Sequence, residues 1–206
     1  MEHVALTAVG ADQPGIVAAV TGVLVDLGCN LEDSTMSILR GQFAVLLVIA
    51  VPEGRGADAV EASLAPVADR LGLTIVVRPL PPGPGARGGG DSASDRSRGA
   101  SGGEAGTEAG ADGPGVEGDV YAFSVHGADR PGIVHRAAEA LAEAGGNIID
   151  LSTRLVGSDD QPVYVLTLTV GFDPGTDADA AATAVRQSVE AFGVQCHAHR
   201  VEFDVL

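Results

Sequence analysis

The sequence contains two copies of one segment. Residues 4–38 align with residues 121–155 at a constant offset of 117, without a gap. In that alignment GADQPGIV at residues 10–17 meets GADRPGIV at residues 127–134, and seven of the eight residues are identical. Repetition at a fixed offset indicates that each copy is one structural unit, so we expect two similar domains.

The segment between the copies differs sharply in composition. Residues 81–118 consist mainly of Gly, Ala, Ser, Pro and charged residues, with one large aliphatic side chain, Val116, and no aromatic residue. Such a segment buries too little apolar surface to offset the entropy lost on ordering. We therefore predict a flexible, disordered linker at residues 81–118 between a first domain, residues 1–80, and a second domain, residues 119–206.

Within each copy the hydrophobic pattern predicts six elements. A strand ends at Gly10, a helix with apolar residues at helical spacing ends at Gly28, and two strands follow. A second helix, which Pro66 is expected to kink or shorten, precedes a last strand at residues 74–78. In the second copy the helix is expected to bury Phe192, and the last strand is expected at residues 194–203. The order βαββαβ predicts an α+β fold of the ferredoxin-like type with an antiparallel sheet in each domain.

One strand of the first copy is apolar throughout. Residues 43–51 read FAVLLVIAV, whereas a half-buried antiparallel strand alternates apolar and polar residues. In a βαββαβ unit the helices cover one face of the sheet, so we expect this run to expose apolar side chains on the other face. Exposed apolar surface of that kind usually marks an interface. The copies are therefore expected to pair within the chain or to form a homodimer.

Charge and composition exclude several classes of function. The formal net charge is −16, which opposes direct binding to nucleic acid or to an anionic membrane. The chain contains no lysine, so Schiff-base chemistry and a phosphate-binding P-loop are excluded. Two cysteines are too few for a disulfide framework, and neither a signal peptide nor a membrane span can be recognised. These features favour a cytoplasmic location.

The repeated motif has groups that could bind a free amino acid. Pro14 suits the first turn of a helix, Asp12 could cap that helix, and Gly15 allows close approach to the backbone. Free amides at a helix start attract an anion such as a carboxylate. Asp12 and Asn30 could accept hydrogen bonds from an ammonium group. The same residues also make an ordinary turn and helix start without a ligand, and both interpretations remain open.

The motifs resemble a known family. GADQPGIV and GADRPGIV are similar to the signature of ACT domains, and GCNL at residues 28–31 and GGNI at residues 145–148 resemble its second signature. Two such copies resemble the glycine cleavage system transcriptional repressor family. Formyltetrahydrofolate deformylases open with the same motif, but their catalytic domain is missing here. The resemblance implies an amino-acid-binding regulatory protein without enzymatic activity or cofactor. It also implies a protein partner, with transcriptional control of amino-acid or one-carbon metabolism as one role. Because Gly15, Ile16 and Leu31 leave a tight, apolar surround, we expect a small ligand such as glycine or serine.

We predict the ligand site where the loop between the first strand and helix of one domain faces another domain. The predicted ligand-binding residues come from both copies: Asp12, Gln13, Gly15, Ile16, Asn30, Leu31, Asp129, Arg130, Gly132, Ile133, Asn147 and Ile148. Neither catalytic residues nor metal ligands are assigned. His197 and His199 share a strand face but offer at best two metal ligands, and His126 is a further candidate for a ligand contact.

Two other classes of function remain as alternatives. The first is an interaction module whose sheets serve only for assembly, without a ligand. The second is a small enzyme, which the lack of lysine and of a complete catalytic triad disfavours. For Asn30 and Asn147, which come after a helix-ending glycine, the alternative to ligand binding is a purely structural role in a turn.

Overall fold

The computed structural model describes residues 2–81, 118–158 and 161–202. The predicted linker lies outside these residues apart from its two ends. The first unit comprises β1 (Glu2–Ala11), α1 (Ile16–Asp26), β2 (Asn30–Leu39), β3 (Gln42–Val51), α2 (Ala57–Leu71) and β4 (Thr74–Pro79). The second comprises β5 (Val120–Ala128), α3 (Ile133–Glu143), β6 (Gly146–Ser158), β7 (Gln161–Phe172), α4 (Ala178–Glu190) and β8 (Gln195–Arg200).

All eight strands form one sheet, in the order β4-β1-β3-β2-β6-β7-β5-β8. The neighbouring strands run antiparallel, and the order within each half is that of a βαββαβ unit. The predicted fold class is therefore confirmed. The halves join side by side through a short antiparallel contact between β2 and β6, in which Ser34 pairs with Thr153 and Thr35 pairs with Ser152. The two units are thus paired within one chain, along a junction that we call the seam.

The helices cover one side of the sheet, and their apolar faces form the core. In α1 the residues Ile16, Val20 and Leu24 recur every four positions, and all three are buried. This spacing places them on one face of the helix. Helices α1 and α3 also pack against each other across the seam. The seam therefore consists of a strand contact and a helix contact, and it encloses apolar side chains from both units.

Strand β3 alternates in burial although its sequence does not alternate in polarity. Phe43, Val45 and Leu47 face the helices and are buried, whereas Ala44 is exposed and Leu46 keeps 45% of its surface exposed. The seam joins strand edges and helices, so Ala44 and Leu46 on the far face of β3 stay exposed, although Ala50 on that face is buried. Pairing of the copies was predicted correctly. The prediction rested on the apolar far face of β3, however, and the pairing does not cover that face.

Three predicted details need correction. Helix α2 runs without a break from Ala57 to Leu71 with Pro66 inside it, so proline does not shorten it. Phe192 lies beyond the end of α4 and is 38% exposed instead of buried on the helix face. Strand β8 covers residues 195–200, a shorter range than predicted. Within the described residues, no helix is both long and apolar enough to cross a membrane.

Candidate functional site

Two clefts lie along the seam, and each combines residues from both units. The Asp12 cleft is lined by Asp12, Gly15 and Ile16 of the first unit and by Gly146, Asn147 and Ile148 of the second. The second cleft is lined by Cys29, Asn30 and Leu31 of the first unit and by Arg130, Gly132 and Ile133 of the second. We call it the Asp129 cleft because its lining residue Asn30 donates a hydrogen bond to Asp129, which is not itself a lining residue. They enclose about 280 and 290 Å³ of empty space, including their open mouths. The clefts occupy equivalent positions in the repeat and are nearly equal in size.

A carboxylate and an amide meet across the seam at each cleft. The side-chain amide of Asn147 donates a hydrogen bond to Asp12 Oδ2 at 2.9 Å. The amide of Asn30 donates to Asp129 Oδ2 at 3.0 Å. The sequence prediction grouped Asp12 with Asn30 in one site, and that grouping is wrong. The structure exchanges the partners, so every cleft needs the loop of one unit and the strand start of the other.

The loop between the first strand and helix owes its shape to a glycine. Gly15 has a φ angle of 88° and Gly132 one of 96°, both in the left-handed region that glycine adopts without strain. Helix α1 begins only after Gly15, so Pro14 precedes the helix and does not occupy its first turn. No side chain caps the start of α1 or of α3. Asp12 is therefore not a cap, and the first amides of each helix are free of side-chain partners.

The first glycine of each motif is required by packing. A Cβ atom on Gly10 would lie 2.6 Å from Leu73 Cδ2, and one on Gly127 would lie 2.6 Å from Val194 Cγ1. At that distance the neighbouring side chain would have to shift to admit the Cβ atom. The end of β1 therefore lies close to the turn before β4, and the end of β5 lies close to the turn before β8. This part of the motif serves the fold, whereas Asp12 and Asp129 serve the seam.

The two carboxylates differ in how well they are satisfied. Asp129 Oδ1 is buried, and it is the only buried side-chain nitrogen or oxygen within the described parts of the chain that has no hydrogen-bond partner. Its other oxygen receives a single hydrogen bond, from Asn30. A buried carboxylate oxygen without a donor is costly. An ammonium group is a strong partner for such an oxygen, because a hydrogen bond between opposite charges is shorter and stronger than one between neutral groups.

Gln13 and Arg130, which occupy equivalent positions, both extend towards the turn that follows the second helix of their own unit. The Gln13 amide donates to the carbonyl oxygen of Leu71 at 2.9 Å. The Arg130 guanidinium lies beside Gly193, where an added Cβ atom would be 3.2 Å from Nη1. Gln13 is thus held by its own unit, while Arg130 is exposed and lines the Asp129 cleft.

Several lining residues were missed by the sequence analysis. In the Asp12 cleft these are Ala18, Met36, Phe43 and Ala138, and in the Asp129 cleft they are Thr21, Cys29, His135 and Tyr164. Burial raises the pKa of the Cys29 thiol and of the Tyr164 hydroxyl above their ordinary values, so both groups stay neutral. A usable signal was the exchange of Ala18 for His135 between the copies, because a residue type that changes within a repeat marks a possible difference between sites.

The remaining histidines lie away from both clefts. His126 and His197 are neighbours on β5 and β8, with ring centroids 5.7 Å apart. His126 does not line either cleft, so its predicted ligand contact has no support there. Within the described ranges no three His, Cys, Asp or Glu side chains are grouped as metal ligands.

Comparison with known proteins identifies the family. The family model described as the ACT domain matches residues 2–78. A UPF0237 protein of Methanopyrus kandleri is 30% identical over 79 residues, which make up 38% of this chain and 88% of that relative. The chain belongs to the ACT-domain family. The resemblance predicted from the two signatures is confirmed, and the two units are referred to below as ACT units.

Two further comparisons extend the likeness. The glycine cleavage system transcriptional repressor of Escherichia coli is 33% identical over 87 residues. That match covers 40% of this chain and 45% of the repressor, so the chain spans less than half of that relative. The crystal structure of aspartate kinase from Synechocystis aligns with 91% of this chain and 26% of the kinase chain, at a TM-score of 0.50 and 19% identity. At that identity the likeness shows a shared fold.

Proposed function

We propose that this tandem ACT protein binds a small free amino acid in its seam clefts and reports the amino acid to a protein partner. The observation that carries the proposal is the buried, unpartnered Oδ1 of Asp129 beside a helix start that no side chain caps. A free amino acid offers complementary groups to both features. Its ammonium group would bind Asp129, and its carboxylate would bind the free amides at the start of α3.

The size of the clefts restricts the ligand. Each cleft holds less than 300 Å³ even with its mouth included. The apolar walls contain Ile16 and Ile148 in one cleft and Leu31 and Ile133 in the other. Most of that space is open solvent, so the gap between the walls is narrow and would have to widen to admit a ligand. We therefore propose a small amino acid such as glycine or serine, because long or aromatic side chains need more room.

The position of the clefts supports a regulatory role. A ligand in either cleft touches both ACT units, so its binding energy depends on how the units are paired. Any surface formed jointly by the two units is then coupled to ligand binding, and a partner that recognises this surface senses the amino acid. The similarity to a transcriptional repressor of the glycine cleavage system supports a regulatory protein, and we propose that the chain has no enzymatic activity.

One observation favours the alternative of a ligand-free assembly module. The Asp–Asn hydrogen bonds at 2.9 and 3.0 Å already close the seam at both clefts without a ligand. Under this alternative Asp12 and Asp129 serve only to hold the units together. Their removal would then lower stability, but no amino acid would bind.

The test is isothermal titration calorimetry of the full chain with glycine, L-serine and L-alanine. Acetate, which lacks the ammonium group, is the ligand control. We expect at least one amino acid to bind and acetate to fail. Asp129→Asn should weaken binding about tenfold or more, because it removes the charged partner of the ammonium. Asp69→Asn, which changes an exposed side chain of α2 outside the clefts, should leave affinity unchanged. If no amino acid binds the folded wild type, the proposed function is wrong and the assembly module is favoured.

A further inference from the structure

The two clefts are related by the internal repeat but have diverged in their walls. Helix positions that are alanine in the Asp12 cleft, Ala18 and Ala138, are His135 and Thr21 in the Asp129 cleft. The phenyl ring of Phe43 in the first cleft likewise corresponds to the phenol of Tyr164 in the second. Every one of these exchanges places a polar group in the Asp129 cleft where the Asp12 cleft has an apolar one.

The hydrogen bonds of His135 define which of its ring nitrogens can act on a ligand. Nδ1 lies 3.1 Å from the carbonyl oxygen of Ala18 and 3.4 Å from Thr21 Oγ1. Because a carbonyl oxygen can only accept, Nδ1 carries the hydrogen. In the neutral ring Nε2 is then an acceptor. This bond crosses the seam, so it also fixes the ring at the wall of the cleft.

Thr21 adds a second acceptor beside the imidazole. Its hydroxyl donates to the carbonyl oxygen of Val17 at 2.6 Å, which leaves the lone pairs of Oγ1 to accept. The side chain is buried, with 4% of its surface exposed. His135 and Thr21 both line the Asp129 cleft, so their acceptor atoms belong to its wall.

Gly22 provides the room for this arrangement. A Cβ atom on Gly22 would lie 3.1 Å from Cε1 of His135, so a larger residue would push the ring away. The equivalent position in the other copy, at the offset of 117, is Glu139, which forms an ion pair with Arg136. Histidine and glycine thus occur together at one cleft, while alanine and glutamate occupy the equivalent positions at the other.

We infer that the Asp129 cleft selects an amino acid with a side-chain hydroxyl, such as serine, and that the Asp12 cleft does not distinguish serine from alanine. This inference rests on the proposed function. A hydroxyl hydrogen satisfies an acceptor on the wall, whereas alanine leaves His135 Nε2 desolvated and unpaired. The Asp12 cleft has only methyl groups at Ala18 and Ala138, so it offers nothing to a hydroxyl.

The experiment compares L-serine with L-alanine by calorimetry on the full chain and on two variants. In the wild type, serine should bind the tighter of two sites about tenfold more strongly than alanine. His135→Ala recreates the wall of the Asp12 cleft, and Thr21→Val removes one acceptor at nearly constant volume. Both variants should reduce the serine-to-alanine ratio towards one while changing alanine affinity by less than about threefold.

The outcomes separate this inference from the proposed function. Equal binding of serine and alanine to the wild type would overturn the selectivity while leaving amino-acid binding intact. An unchanged serine-to-alanine ratio in both His135→Ala and Thr21→Val would also overturn it. Failure of both amino acids to bind the folded wild type would overturn the proposed function and this inference with it. Asp12→Asn provides the internal control, since it should abolish the unselective site and leave the serine-selective one.

Discussion

The side-chain amide of Asn30 donates a hydrogen bond to Asp129 Oδ2 at 3.0 Å, although 99 positions separate the two residues. Its counterpart in the repeat joins Asn147 to Asp12 at 2.9 Å. Both bonds cross the seam, and each uses one residue from the loop before a helix and one from the start of a second strand. The pair of motifs that identifies the family therefore acts here as a pair of links between the two ACT units.

Loss of one such link should destabilise the whole chain. Asn30→Ala removes the hydrogen bond to Asp129 Oδ2 and so leaves neither carboxylate oxygen with a donor, and we expect the free energy of unfolding to fall by about 1–3 kcal/mol. Urea unfolding followed by circular dichroism measures the change. Gln187→Ala, on the exposed face of α4, is the control and should stay within about 0.5 kcal/mol of the wild type. A stability equal to the wild type in Asn30→Ala would mean that the link contributes nothing.

The left-handed glycine before α1 offers a test of strain alone. An added Cβ atom on Gly15 has no atom within 4 Å, so Gly15→Ala changes only the backbone energy at a φ of 88°. We expect a loss of about 1–2 kcal/mol. Gly56, before α2, has a φ of −85° and equally open surroundings, so Gly56→Ala should be neutral or slightly stabilising. The measurement is the thermal unfolding of both variants beside the wild type. An equal change in stability for Gly15→Ala and Gly56→Ala would contradict a role for the backbone angle.

A buried pair of hydroxyl groups holds the strand contact of the seam. Ser34 Oγ and Thr153 Oγ1 are 2.8 Å apart, and the two residues are 4% and 0% exposed. Each single variant, Ser34→Ala or Thr153→Val, should cost about 1–3 kcal/mol because the remaining hydroxyl loses a partner. The double variant should cost less than the sum of the two, and chemical denaturation of all four proteins gives the coupling. Strictly additive effects would show that the hydroxyls do not interact.

The fold could be predicted from the sequence because its signals are local. Strand and helix periodicity, the turn glycines and the repeat gave the βαββαβ order of each unit. The start of α1 was misplaced because Pro14 is compatible with a first helical turn, whereas the φ of Gly15 delays the helix until Ile16. Local sequence does not decide between those two starts.

The site could be predicted only in part, because its geometry depends on how the units dock. The family motif indicated that Asp12 and Asn30 belong to a site. Their true partners, Asn147 and Asp129, follow from the antiparallel contact between β2 and β6, which crosses the two copies. No pattern within one copy contains that information. The role of His135 in the wall of the Asp129 cleft also depends on how the units dock, since its hydrogen bond reaches Ala18 of the other unit.

Stability should fall in alkaline solution as buried thiol and phenol groups lose their protons. Burial raises the pKa of Cys196 from 9.0 to about 11, and a hydrogen bond with Asp179 raises that of Tyr121 from 10.0 to about 12. In the unfolded chain both groups release their protons at lower pH. The protonated thiol and phenol therefore stabilise the folded state fully below pH 9. This stabilisation is lost as the pH rises through their folded-state pKa values, because the unfolded state then binds fewer protons.

Variants without these groups test the alkaline effect. Cys196→Val should make the loss of stability between pH 9 and pH 11 smaller, and Tyr121→Phe should do the same between pH 10 and pH 12. Urea midpoints measured at one-unit intervals from pH 7 to pH 11 cover the window of Cys196. An identical pH dependence in the wild type and in Cys196→Val would show that the thiol does not contribute.

The first ACT unit expressed without the second should associate with itself. In the full chain the edge of β2 is paired with β6, and α1 packs on α3, so residues 2–81 alone would expose both surfaces. Val17, Thr21 and Leu31 lie where the two units meet around a shared apolar cavity, and a fragment would leave them in contact with water. Because β2 runs antiparallel to β6, a second copy of the same unit can replace it by pairing β2 with β2 around a twofold axis. We therefore expect dimers in sedimentation velocity at high micromolar concentration, and a larger fraction of monomer when Thr35→Pro removes a backbone donor from that edge. A well-folded fragment that stays monomeric at these concentrations would show that the seam contributes little to the stability of the unit.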